Sequence, residues 1–357
     1  MEPILITVLF LIVTLGWICL PMLPALMELR LKTDAEPLQV VRRSDVDIRH
    51  FASGFREFLH NNFAVQLEEC RRDGKPITGT LTDGTPFEVL PEGHERPQES
   101  PDKSAQATEQ NLSISLGNRH VPGGKTYPLE IFCSGSLHAG PGASFRAVLA
   151  EQSLYMGKNC TAFRWIHAGS EIHAEQDCRL FGRVSANRLI HLGDRCSFER
   201  LNAPRIEFGK RGDTPRTEGG GALVDLENHP RLQDHSADRY LFNRKLEIPA
   251  GGRVEANIVV AGDLKIGDWA HIIGNLKAQG TLELGVGVRI EGSVISGHNL
   301  KLGEGCVLDG PVVAEHKAII GEDCTFGSFE HPTTLSARGL KIGRGVVAHG
   351  TVWGGDS

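Results

Sequence analysis

The sequence predicts an all-β fold, a three-sided β-solenoid, preceded by an N-terminal transmembrane helix and a small α/β segment. Three observations predict it. Apolar residues come in pairs two apart, as in Leu264/Ile266, Ala270/Ile272 and Leu276/Ala278. Consecutive pairs are separated by a step of four, and the whole pattern repeats every eighteen residues, at Leu282/Leu284 and again at Leu300/Leu302. Period two is the signature of a strand with one face buried, and the step of four is a corner, so three short strands and three corners make one coil. The composition agrees: 42 glycines, 6% aromatic and 40% hydrophobic residues suit thin stacked sheets built from short aliphatics.

The first element is the charge-free run at residues 3–27, "PILITVLFLIVTLGWICLPMLPALM". About 20 apolar residues suffice to cross a bilayer as a helix. Only Met1 and Glu2 precede the run, so the positive leader of a signal peptide is missing and an uncleaved anchor within residues 1–30 is expected. Arg30, Lys32, Arg42 and Arg43 follow it, which places the long C-terminal part in the cytoplasm by the positive-inside rule. The lipid bilayer is thus an expected partner through residues 3–27.

Residues 31–90 hold an amphipathic helix and a hairpin. Phe51, Phe55, Phe58, Leu59, Phe63 and Leu67 recur at helical spacing, with Arg49, Arg56, Glu57, Glu68 and Glu69 on other faces. This face is expected to pack on the body of the protein. "ITGTLTDGTPFEVL" reads as two strands around Asp83-Gly84. Residues 91–111 are rich in Pro, Glu, Ser and Gln and read as a polar linker.

The ladder then occupies two lobes, 112–208 and 246–357, about ten coils in all, separated by an insertion at 209–245 without the pattern. Gly267, Gly285, Gly303, Gly321 and Gly343 each follow the second inward residue of a face and are expected to take the corner's unusual backbone angles. Cys160, Cys178, Cys196, Cys306 and Cys324 fall on inward positions and act as small buried groups. His138, His167, His173, His191 and His271 fall on outward positions, where a solvated imidazole is expected. The last face ends at Val352 and Trp353 with only "GGDS" beyond, so these two residues are the expected self-assembly end.

Several chemistries find little support. The net charge of −6 gives no basic field, and no nucleic-acid partner is expected. There is no CxxC pair, and the six-residue spacing of His229 and His235 matches no common ligand pair, so neither a metal nor a cofactor is expected. "GGKTYP" is no phosphate loop, because Arg119 stands where its first glycine is needed. The insertion, with its His, Asp and Glu, is a possible protein-partner site.

The lines "LKIG…AHIIGNLKA" and "LELG…VRIEGSV" resemble the bactofilins, bacterial polymer-forming cytoskeletal proteins. The resemblance covers 246–353 well and 129–209 loosely. It implies a homo-oligomeric or filamentous scaffold at the bacterial inner membrane, serving cell-envelope organisation or morphogenesis. The insertion and the extra coils depart from that family's usual short core. The alternative reading is a left-handed hexapeptide-repeat acyltransferase with an acyl-CoA donor. A histidine would then serve as general base, with His229, His235 and His331 the candidates and Asp225, Glu227 or Asp234 as orienting partners.

Overall fold

Pairing of inward residues across coils builds the rod. The computed structural model describes residues 50–94, 111–212, 221–236 and 239–355, all within the unit Ile48–Ser357. The expected anchor at 3–27 and most of the linker lie outside the described residues. Among the described residues no helix is long and apolar enough to cross a membrane.

Helix α1 (His50–Asp73) is followed by the antiparallel hairpin of β1 (Ile77–Thr80) and β2 (Pro86–Leu90), and β2 pairs in parallel with Leu112–Ser115 to enter the first lobe. The lobe then climbs in register: Ile131 pairs with Val148, Val148 with Ile166, Ile166 with Val184 and Val184 with Leu201. The second lobe does the same through Leu276, Val294, Val312, Leu335 and Val352. The solenoid has about 13 turns, where the sequence suggested about ten. The shortfall arose at the lobe starts, where the glycine marking is weak and coils such as Ile131 to Val148 are a residue short. At roughly 4.8 Å per coil the rod is ~60 Å long.

The two lobes do not follow one another in the same direction. The last strand of the first lobe, Ser197–Phe208, pairs antiparallel with the last strand of the second, Val346–Gly354, bringing Leu201 opposite Val352 and Ile206 opposite Ala348. The lobes therefore meet end to end through their final coils, and one apolar core runs through the joint from Val121 to Val352. Polar contacts close its rim: Arg344 holds Asp194 through two bonds of 3.0 and 2.9 Å, Asn202 donates to Thr351 Oγ1 at 2.9 Å, and His349 meets the Pro204 carbonyl at 2.8 Å.

This reversal explains the insertion. After the joint the chain must travel back to the far end of the second lobe. The Gly212 amide donates to Asp323 at 2.8 Å, the Val224 amide donates to the Arg253 carbonyl at 2.9 Å, and the Arg253 amide donates to the Ala222 carbonyl at 3.0 Å. Those two points are four rungs apart, ~19 Å along the axis. The rest of the segment builds the first coil. Leu232–Ser236 and Arg239–Phe242 form a hairpin whose second strand pairs in parallel with Asn257–Val260, with Phe242 fully buried.

At the other end the axial core is closed by polar groups. Ser113 and Ser115 stand in register with the inward Ile131 and Cys133. The Arg119 guanidinium donates to both serines and lies 3.4 Å from Glu88, whose carboxylate accepts from Ser113 at 2.5 Å. α1 covers the hairpin side with Leu59, Phe63 and Cys70 on Phe87, Val89 and Ile114. As expected from its apolar face, it packs on the protein's own wall.

The corner glycines lie at corners but do not supply the unusual backbone angles expected of them. The left-handed position comes two residues later, and it holds Trp269, Gly287, Gly305 and Asp323 in successive coils, with φ of 61°, 65°, 68° and 56°. Gly303 is instead a point of close approach: a Cβ there would sit 2.6 Å from the backbone carbon and oxygen of Gly285. Neighbouring corners are laced by side chains, as Asp268 accepts the Val286 amide and Asn275 the Ser293 amide, each at 2.8 Å.

Three substitutions test this packing. Gly303→Ala is expected to lower unfolding free energy by about 1–3 kcal/mol in urea titration, as overpacking against fixed backbone does. At Gly124, left-handed with open space around it, Gly124→Asn should stay within ~0.5 kcal/mol of the parent. Arg119→Met takes the cation away from the buried Glu88 carboxylate and should cost about 3–5 kcal/mol in the same assay.

Candidate functional site

The solenoid offers two kinds of surface, flat walls and coil ends, and the outward side chains of the walls stack from rung to rung. On one wall of the first lobe His120, His138, Tyr155, His173 and His191 are successive register partners. Their ring centroids are 4.9, 4.6, 5.2 and 6.1 Å apart along the column. Glu171 sits 2.9 Å from His173 Nε2, and Glu207 3.4 Å from His191 Nδ1. The histidines of this wall are thus members of an aromatic column rather than separately solvated groups. The spacing of 17 or 18 residues from 120 to 191 was open to view in the sequence, with Tyr155 as the member that a search for histidine alone passes over. Desolvation, and then the neighbouring His120 charge, hold the His138 imidazole below its ordinary range.

The adjacent wall carries α1. Phe55 packs edge-on to Trp165 at 5.6 Å, Arg56 forms an ion pair with Glu151 at 2.7 Å, and the Arg183 guanidinium lies 4.6 Å from the Phe51 ring centroid. The expectation of a solvated His167 is corrected here: it is 2% exposed and bonded to Ser185 Oγ at 2.9 Å, on the wall that the helix overlies. A cleft of about 440 Å³ opens beside the helix, lined by Phe51, Phe58, Asp83, Arg146 and Trp165. A second, of about 510 Å³, lies near its C-terminal end, by Arg71, Glu92 and Asn118. His271, on the second lobe, pairs with Glu291 at 2.9 Å.

The three histidines singled out as general-base candidates do not converge. His229 accepts the Arg231 amide at 3.2 Å through Nδ1 and packs edge-on to Phe242 at 5.3 Å, so its ring braces the turn that precedes the hairpin. His235 stacks on Tyr240 at 6.0 Å within that hairpin. His331 lies in the loop before Thr333, beside the joint, with its amide held by Ser328. The hairpin rung and the rung of His331 are five steps apart, ~24 Å. Their expected carboxylate partners are engaged elsewhere: Asp225 binds Asn228 and the turn amides, Glu227 accepts from Tyr240, and Asp234 faces Arg239.

The inward cysteines are more than apolar filler. Cys178, Cys306 and Cys324 aim their thiols at the Gly157, Gly285 and Gly303 carbonyls at 3.2, 3.1 and 3.2 Å, satisfying corner acceptors of the preceding coil. Among the described residues no group of three or more His, Cys, Asp or Glu side chains is placed to hold a metal.

Val352 and Trp353, expected at an open end, lie inside the joint. Val352 is fully buried opposite Leu201, and Trp353 stands opposite Arg200, whose guanidinium lies 5.6 Å from its ring centroid. The edges that remain belong to the first coils. Among the described residues Arg119–Val121 pairs only with Leu137–Ala139, and Leu246–Ile248 only with Leu264–Ile266. No family model matches this chain, and neither a curated protein nor a solved structure does.

The depressed imidazole of His138 has a consequence for pH. Its folded-state affinity for protons is below that of the unfolded chain, so the unfolded state binds more protons near and below the ordinary imidazole value, and its contribution to stability falls as pH falls. Thermal unfolding followed from pH 7.5 down to 5.5 should show a smaller loss for His138→Gln than for the parent.

Proposed function

We infer that this chain is a self-associating β-helical scaffold, held at the bacterial inner membrane by residues 3–27 with the rod in the cytoplasm, and acting in cell-envelope organisation. The observation that carries this reading is the pair of strand edges at the two outer ends of the rod, at Arg119–Val121 and Leu246–Ile248, that have no second partner strand among the described residues. An open edge presents a row of free amides and carbonyls and is a template for another strand. The two hairpins pair with other strands, β2 with Leu112–Ser115 and Arg239–Phe242 with Asn257–Val260.

The internal joint supports the same reading. It shows that a coil end of this sequence is satisfied by another coil end, through antiparallel strands and a continuous apolar core. Because the two final coils are already joined, association in this scheme proceeds through the first coils. The likeness of 246–353 to the bactofilins points the same way.

Sedimentation velocity and negative-stain microscopy of Ile48–Ser357 test this. Expected are species that grow with concentration and elongate along the rod. Trp353→Ala, at the internal joint, should leave their size unchanged. A single monomeric species over the whole concentration series would sink the proposal.

A further inference from the structure

One column of outward side chains crosses the joint. Trp165 is in register with Arg183, Arg183 with Arg200, and Arg200 with Trp353, so two cations stand on neighbouring rungs between two indoles. Adjacent rungs are only ~4.8 Å apart. Like charges directly opposite on neighbouring strands are unfavourable unless something neutralises them. Elsewhere this protein does so: Arg195 is held by Asp177, Arg344 by Asp194 and Arg289 by Glu291 and Asp309. Among the described residues Arg183 and Arg200 have aromatic faces but no carboxylate. Phe51 lies at 4.6 Å from the first and Trp353 at 5.6 Å from the second.

Arg200 is half-buried, and its Nε is buried with no hydrogen-bond partner among the described residues. Burial, and then the Arg183 charge, depress its guanidinium below the ordinary range, the mark of a cation lacking its counter-charge. The ring contacts offset part of that but bring no negative charge to either guanidinium. A carboxylate carries one charge and would neutralise only one arginine. A phosphate monoester carries close to two near neutral pH and has three equivalent oxygens to share between two forks.

The geometry points to a binding site for a phosphate monoester at Arg183 and Arg200, with the half-exposed Trp353 indole against the group that carries it. The site is independent of the scaffold reading, since it lies on the wall and not at a coil end. It is assembled only when the second lobe has docked on the first, because Trp353 and Arg200 come from different lobes.

The test uses the full chain purified in detergent, with tryptophan fluorescence and calorimetric titration as readouts. Inorganic phosphate and monomeric dihexanoyl phosphatidic acid are the two probes. Salt-sensitive binding is expected, weakened at least about tenfold in R183Q and in R200Q and unchanged in R289Q. R200K keeps charge and length, so it should fold with the parent's melting temperature yet bind more weakly, which separates loss of the fork from loss of the fold. Binding of inorganic phosphate identifies a soluble phosphoryl ligand, and binding of the lipid alone a membrane headgroup. Either upholds the site. No binding of either probe, or equal binding by the parent, R183Q and R200Q, overturns it.

Discussion

Antiparallel pairing between Ser197–Phe208 and Val346–Gly354 is the constraint on which the rest of the architecture depends. A parallel solenoid can grow only in one direction along its axis, and each coil lies on the one before. Joining two final coils reverses the chain across the joint, and everything else adjusts. The second lobe must begin at the far end, so a return segment is obligatory. The apolar core becomes continuous, burying Leu201, Val352, Ile206 and Ala348, with a fully buried aliphatic side chain worth about 1.5–3 kcal/mol. Both outer ends become first coils.

The local geometry follows from stacking distance. At the corners, backbone approaches backbone so closely that Gly303 leaves no room for a Cβ over Gly285, whereas the left-handed position two residues on holds Trp269 and Asp323 in two coils and Gly287 and Gly305 in the two between. The corner amides that stacking leaves over are met by Asp268 and Asn275, and the corner carbonyls by Cys306 and Cys324. The interior cysteines and the corner Asp and Asn side chains are therefore two halves of one hydrogen-bond system that repeats with the coil.

Much of this was legible in the sequence, because period two and period eighteen are properties of one strand and one coil. Leu264/Ile266 and its successors lie inward as read, the 77–90 hairpin forms, and the helix face from Phe55 to Phe63 packs on the protein. What the repeat could not carry was the pairing of Leu201 with Val352. Either strand looks the same whether its outer edge meets solvent, a second chain or a strand 151 positions away. The direction of the second lobe, the purpose of the insertion and the column that sets Arg183 beside Arg200 and Trp353 all depend on that pairing. His167 was misread for a similar reason, since the helix overlying its wall is distant in sequence. The polar plug of Glu88 and Arg119 was not legible, because the inward positions of that first coil are serines and carry no apolar pattern.

The remote partner of the first lobe also shapes how this molecule is made. Asn202 and Thr351 are 149 residues apart, so the edge at Ser197–Phe208 emerges from the ribosome long before the strand that covers it. At ~5–20 residues per second the interval is roughly 7–30 s. During that time a completed lobe carries a bare apolar slice and an open strand. Nascent chains on one polysome would expose the same edge side by side, and mispairing between them is the competitor that the final residues must outrun.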